Sequence, residues 1–172
     1  ISGLNAAFVN IGHEKNGFLH YHDLGPQLLS LLKYVKLVNS GKIKNYMLNN
    51  FVKEKDIEKN GKVLDLLKPN QFILVQIVKE PISTKGPRIS CEISLAGRYM
   101  VLTPFSDRVS ISQKIESKEE RTRLKRLVNS IKPKNFGVIV RTVAKEKKVA
   151  ELDSDLQNLV NRWKKLCKSI SN

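Results

Sequence analysis

A few positions along the chain carry side chains whose type and spacing could do chemistry on a polyanion. Phe8 and Phe18 flank the polar stretch His13-Glu14-Lys15-Asn16-Gly17 in a lysine-rich chain. Aromatic rings beside cations bind single strands by base stacking, at about 1–3 kcal/mol per base. The alternative is that both rings are core, and on pattern alone that reading has the edge, since a strand Phe is usually buried. Lys85, in Ser83-Thr84-Lys85-Gly86-Pro87-Arg88, is a loop cation that could meet a phosphate, although loop lysines are usually only solvated. Arg141-Thr142 puts a planar fork of donors beside a hydroxyl, a pair suited to a terminal phosphate. Its plain alternative is an exposed Arg next to a strand-forming Thr.

Other constellations are weaker. His13, His20 and His22, with Asp23 nearby, invite a metal reading. His20 and His22 are two apart in an expected strand, and no Cys or distant His completes a ligand set, so no metal site is expected. The chain has no Gly-rich phosphate loop, nucleophile elbow or acid/base pair, and no catalytic residue is assigned. Glu119, Glu120, Asp153 and Asp155 are expected at helix starts, complementing the helix dipole.

Charge narrows the partner. Lys plus Arg is 31 against 16 for Asp plus Glu, a net charge of +15 over 172 residues. Residues 1–92 carry a surplus of +5 and residues 93–172 one of +10. Such an excess favours a polyanion, because neutralised phosphates release counterions. Solvated lysine, or an acidic membrane surface, is the competing explanation. No apolar run is long enough to span a bilayer, and no signal peptide opens the chain. Cys91 and Cys167 fit no disulfide or metal framework, which suits a reducing, cytoplasmic setting. A first residue of Ile1 rather than Met suggests a fragment.

The elements that must hold these residues follow from periodicity. Ala6–Gly12 and Phe18–His20 read as a hairpin across a polar turn ending in Asn16-Gly17. Leu28, Leu29, Leu31, Leu32, Val35 and Val38 recur at helical spacing inside an apparent insertion over 24–62. Gln71–Lys79 and the stretch around Arg88–Ser94 read as strands, so that five or so short strands suggest a small barrel. Beyond lie strands over 98–103 and 108–112. Ser117-Lys118-Glu119-Glu120 is a capping-box pattern, opening a helix with Leu124, Leu127, Val128 and Ile131 on one face. A strand over 136–142 follows. A last helix carries Leu152, Leu156, Leu159, Val160, Trp163 and Leu166 on one face, so the second half reads as α+β.

Read in order, several of these segments resemble one family. Asn5-Ala6-Ala7-Phe8-Val9-Asn10-Ile11-Gly12 with Asn16-Gly17-Phe18-Leu19-His20 is similar to the opening signature of the ribonuclease E/G family. Leu74–Pro81 followed by Thr84–Arg88 resembles its next segment. Ile93-Ser94-Leu95-Ala96-Gly97-Arg98-Tyr99-Met100-Val101-Leu102 and Gly137-Val138-Ile139-Val140-Arg141-Thr142 resemble two more. The likeness spans nearly the whole chain and fades over about 24–62.

The resemblance implies a mixed β and α+β fold. Residues 1–92 would be a partial OB-fold barrel of the ribosomal-protein S-one type, lacking its first strand and carrying the insertion. Residues 93–172 would be a small α+β 5′-sensor domain. It implies that Phe8, Phe18 and Lys85 contact single-stranded RNA, and that Val101, Arg141 and Thr142 contact a 5′-monophosphate. The family's magnesium-binding aspartates, zinc-link cysteines and ribonuclease H-like part find no counterpart in the sequence. No cofactor is therefore expected here, while magnesium, and zinc with it, is expected in the full-length protein. The expected role is RNA binding and 5′ sensing within a cytoplasmic endoribonuclease for rRNA processing and mRNA decay, with homo-oligomers open. A free-standing RNA-binding adaptor is the alternative.

Overall fold

The computed structural model describes residues 2–80 and 86–171. The chain divides into two compact units, one of residues 1–36 and 54–93 and the other of residues 37–53 and 94–172. The division falls within the helix α1 (Leu28–Asn39).

The first unit is built on a four-stranded sheet of order β1-β2-β4-β3. Strands β1 (Ala6–Val9) and β2 (Gly17–His20) pair antiparallel, with Phe8 opposite Phe18 and Ala7 opposite Leu19. Alternation sends Leu19 to the core, where it is fully buried with Ile89. The glycine that turns the chain is Gly12, with φ +83° and its N–H donated to Asn10 Oδ1 at 2.9 Å. Gly17, expected in the turn, instead begins β2. Strands β3 (Gln76–Lys79) and β4 (Arg88–Ser90) pair antiparallel with an irregularity between Ile77 and Lys79. The strand expected over 71–79 shortens to its last residues because β4 offers so little length to pair with. Four strands rather than five result, and among the described residues the sheet does not close into a barrel.

Strand β2 meets β4 in parallel, Phe18 beside Arg88, and the Phe18 N–H donates to Pro87 O at 2.9 Å. Further along, the short helix α2 (Val63–Leu66) is tied back by Asn5, whose Oδ1 accepts from Val63 N and whose Nδ2 donates to Gly61 O, both at 2.9 Å.

The second unit carries a sheet of order β5-β6-β8-β7. Its strands are β5 (Leu95–Ala96), β6 (Met100–Pro104), β7 (Val109–Ile111) and β8 (Phe136–Val140). Met100, Leu102, Phe136, Val138 and Val140 are buried, while the alternate positions Val101 and Ile139 face the other way and are half-buried and exposed. Helices α3 (Lys118–Ile131) and α4 (Val149–Ser171) pack on this sheet, α3 against β7 and α4 against β5 and β6. In α4 the buried stripe is Leu152, Leu156, Leu159, Val160, Trp163 and Cys167. Cys167 thus takes the place expected for Leu166, because four residues after Trp163 returns closer to the stripe than three does.

Residues 46–53 complete this unit's core. Trp163 Nε1 donates to Tyr46 O at 2.8 Å. Asn135 Nδ2 donates to Leu48 O at 2.8 Å and to Phe51 O at 3.1 Å, and the Phe51 ring packs 5.4 Å from Phe105. Asn135 itself has φ +66°, a conformation Asn tolerates better than most residues.

The capping box forms by half. Ser117 Oγ accepts from Glu120 N at 3.2 Å, but the Glu120 carboxylate turns to Arg123 (Nε–Oε1 2.6 Å, Nη2–Oε2 2.8 Å) and to the Glu146 N–H. The Arg123 hydrogen bonds, helped by the Glu146 amide, bring the Glu120 carboxyl down to about 2 although burial opposes this. A carboxyl lowered on folding stabilises the native state above its ordinary value of 4.5 and loses that contribution as pH falls toward 2. Asp107 acts in the same direction: burial opposes, and the Asn135 amide with Lys132 outweighs it. Thermal stability is therefore expected to drop between pH 4.5 and 2, and Glu120→Gln to flatten that slope without removing it. Melts recorded by circular dichroism across this range check it.

Candidate nucleic-acid interface

In the first unit, Phe8 and Phe18 face away from Leu19 and meet edge to face, with centroids 5.8 Å apart and planes at 64°. Phe8 is 56% exposed, which corrects the core reading of that ring, and Phe18 is half-buried. They line an open cavity of about 910 Å³ with Lys15, Asn16, His20, Asp23, Gly86 and Arg88. Arg88 is held on both oxygens of Asp23 (Nε–Oδ2 3.0 Å, Nη2–Oδ1 2.9 Å), and this pairing raises its pKa further. Its charge is therefore partly compensated within the fold. His20 and His22 stack at 4.9 Å, and His20 Nδ1 accepts from His22 N at 3.2 Å. Among the described residues no group of three His, Cys, Asp or Glu side chains could hold a metal. Lys85 lies outside the described residues; its neighbour Gly86 sits so close to Asn16 O that a Cβ there would collide with it.

In the second unit, β8 ends at Val140 and delivers Arg141 to the surface. The Arg141 N–H donates to Tyr99 O at 2.8 Å, and its Nη1 donates to Gly97 O at 2.8 Å. Thr142 begins a 3₁₀ turn (Thr142–Ala144), and its hydroxyl lies 2.7 Å from Ser112 Oγ. Arg98, Tyr99, Arg141, Thr142, Val143, Lys145 and Lys147 line a cavity of about 580 Å³. Four of these are cations, and no carboxylate lines the cavity among the described residues. The Tyr99 ring carries Arg98 at 5.3 Å and Lys147 at 5.9 Å, a stacking that spreads two cations over one buried aromatic. Glu120 and Arg123 reach over from α3 to fix the 146–147 backbone, Arg123 Nη2 donating to Lys147 O at 3.0 Å. The arrangement suits a small, multiply charged oxyanion.

Val101 is not in that lining. It stands on β6 opposite Ile139 and beside Ala96, on the sheet face away from the helices. Sequence reasoning missed Arg98, Tyr99, Lys145 and Lys147, although Arg98-Tyr99 sits next to Gly97. It also placed Asp155 at a helix start, whereas Asp155 lies beyond the first turn of α4 and accepts from the backbone of 98–100.

Residues 94–172 match the model of the Ribonuclease E/G family. A protein named Ribonuclease E from Synechocystis sp. is 39% identical over 95% of this chain. A Ribonuclease E/G-like protein from Pyropia yezoensis is 40% identical over 99% of it, and a Ribonuclease G from Escherichia coli 34% over 96%. The sequence is of the ribonuclease E/G family. The match to these ribonuclease E/G relatives runs through both units, so both cavities lie inside it. The chain spans 20% of the Synechocystis protein, 28% of the Pyropia protein and 30% of the Escherichia coli protein. No helix among the described residues is long and apolar enough to cross a membrane.

Proposed function

We propose that this chain binds single-stranded RNA and senses a 5′-monophosphate on it, as a region of an endoribonuclease that processes ribosomal RNA and decays messages. The observation that carries the reading is the cavity beside Arg141, where four cations converge with no lining carboxylate among the described residues and the guanidinium is already oriented by Gly97 O. A terminal monophosphate carries about −1.5 to −2 at neutral pH and offers three acceptor oxygens, which suits a guanidinium fork with a hydroxyl beside it. A 5′-hydroxyl offers neither charge nor fork acceptors.

Phe8 and Phe18 are the stacking platform for the bases, and Lys85 is assigned to the phosphate backbone by the family likeness. The first unit is read as the partial OB barrel of the S-one type, which binds strands on such rings. Val101 is assigned to the 5′-monophosphate contact on the likeness alone, since it stands outside the lining of the Arg141 cavity. Magnesium and zinc belong, on this reading, to the whole family protein in the cytoplasm, and no residue of this chain is assigned to either.

Fluorescence anisotropy with a labelled single-stranded oligomer and its duplex tests the RNA-binding half. Single strands are expected to bind more tightly, with affinity falling steeply as salt rises. Phe8→Ala and Phe18→Ala are each expected to cost about 1–3 kcal/mol whatever the 5′ group, because a stacked base loses its platform. Unchanged affinity in both variants would remove the rings from the interface.

A further inference from the structure

The Asp155 carboxylate gathers three consecutive backbone amides. Its Oδ1 accepts from Arg98 N at 3.0 Å, and its Oδ2 accepts from Tyr99 N at 2.9 Å and Met100 N at 3.1 Å. Successive amides pointing to one spot form an anion-binding concavity. Here the anion is the protein's own, so these amides are not offered to an outside phosphate.

The same turn carries the acceptor that orients Arg141. Gly97 N donates to Met100 O at 2.7 Å, closing the turn, and Gly97 O takes the Arg141 Nη1 hydrogen bond. Gly97 leaves room for the approach of Asp155: a Cβ there would stand 2.7 Å from Oδ1 and 2.8 Å from Oδ2, so the carboxylate would have to shift. From the same helix, Arg162 Nη1 donates to Ala96 O at 2.8 Å, a second tie one residue earlier. A role with the helix dipole does not account for Asp155, since that effect fades within the first turn.

We infer that Asp155 is a positioning residue for the Arg141 cavity: by holding the 98–100 amides it fixes the Gly97 carbonyl that sets the guanidinium. The inference rests on the reading of that cavity as the 5′-phosphate site. Asp155 touches no RNA. It acts through the turn, and its loss releases Arg141 into many rotamers, so that ordering the fork again weakens phosphate binding.

The test measures the affinity ratio between 5′-monophosphorylated and 5′-hydroxyl oligomers for the wild-type chain, Arg141→Ala, Asp155→Asn and Asp107→Asn. Asp107 is the matched control, another carboxylate that accepts a backbone amide in this unit, from Asn135 at 2.7 Å, outside the cavity lining. Asp155→Asn is expected to lower the ratio roughly three- to tenfold, the scale of weakened charge-assisted hydrogen bonds, with 5′-hydroxyl affinity unchanged. Asp107→Asn is expected to keep the ratio. No preference in the wild type, or full preference in Arg141→Ala, removes the reading of the cavity and the inference with it. Lost preference in Arg141→Ala with full preference in a folded Asp155→Asn overturns the inference alone, and so does an equal loss in Asp107→Asn. Should Asp155→Asn not fold, Gly97→Ala displaces the carboxylate without removing its charge and is expected to lower the ratio likewise. A folded Gly97→Ala with undiminished preference overturns the inference.

Discussion

Replacing Arg141 by alanine is expected to abolish the preference for a 5′-monophosphate while leaving binding to 5′-hydroxyl RNA almost intact. The guanidinium spends one N–H on Gly97 O, which fixes its plane and leaves the remaining donors for an incoming phosphate. Paired, charge-assisted hydrogen bonds are each worth about 1.5–3 kcal/mol, so the lost preference is expected to be roughly tenfold to more than a hundredfold. Arg141→Lys keeps the charge but loses the fork and is expected to fall between wild type and alanine. Thr142→Ala removes a neutral hydroxyl that already meets Ser112 Oγ, so its effect is expected to be smaller. Titrations of both oligomers against the three variants separate these outcomes. A monophosphate preference that survives Arg141→Ala would place the phosphate elsewhere.

The largest expected effect on stability is at Trp163. Its side chain is fully buried, its ring meets Phe136 at 5.8 Å and Phe105 at 6.2 Å edge to face, and its Nε1 holds the Tyr46 carbonyl. Trp163→Ala removes all three contacts and leaves a cavity, at a cost of about 3–5 kcal/mol. Against a typical total of about 5–15 kcal/mol, this is expected to unfold or nearly unfold the second unit at ambient temperature. Trp163→Phe keeps most of the apolar volume and leaves the Tyr46 carbonyl without its donor, so a smaller loss of about 1–3 kcal/mol is expected. Denaturant melts of the two variants give both values, and a Trp163→Ala chain as stable as wild type would contradict the packing described here.

The parts of this fold that could be read from residues are those whose signal is a repeated side-chain period. The hairpin, the α3 and α4 stripes and the β6 and β8 strands all announce themselves in that way. Elsewhere, pairing partners and helical geometry set the outcome. Residues 71–75 have strand composition but, among the described residues, no strand neighbour long enough to bond with, and Cys167 displaces Leu166 because helical geometry, not hydrophobicity, decides which side chain points inward. Residues 46–53 join the second unit through the buried Leu48 and the Phe51 ring and also through backbone carbonyls accepting from Asn135 and Trp163, and that carbonyl share leaves no mark on their side chains. At the cavity, Arg141 and Thr142 could be singled out as a donor pair. Asp155 could not, because a carboxylate on a helix looks the same whether it meets solvent or three amides on a distant turn. The Glu120 pairing with Arg123 was hidden for a similar reason: the capping-box pattern offered the carboxylate a nearer, ordinary partner.

The central claim, that the 5′ end of a single strand is held beside Arg141, has a direct test in photo-crosslinking. A 5′-monophosphorylated oligomer carrying 4-thiouridine as its first nucleotide is irradiated with the chain, and the crosslinked residues are mapped by mass spectrometry. Adducts are expected within 97–101 or 141–147, and removal of the 5′-phosphate is expected to abolish them. Adducts confined to the Phe8 and Phe18 surface, or unchanged without the phosphate, would contradict the account.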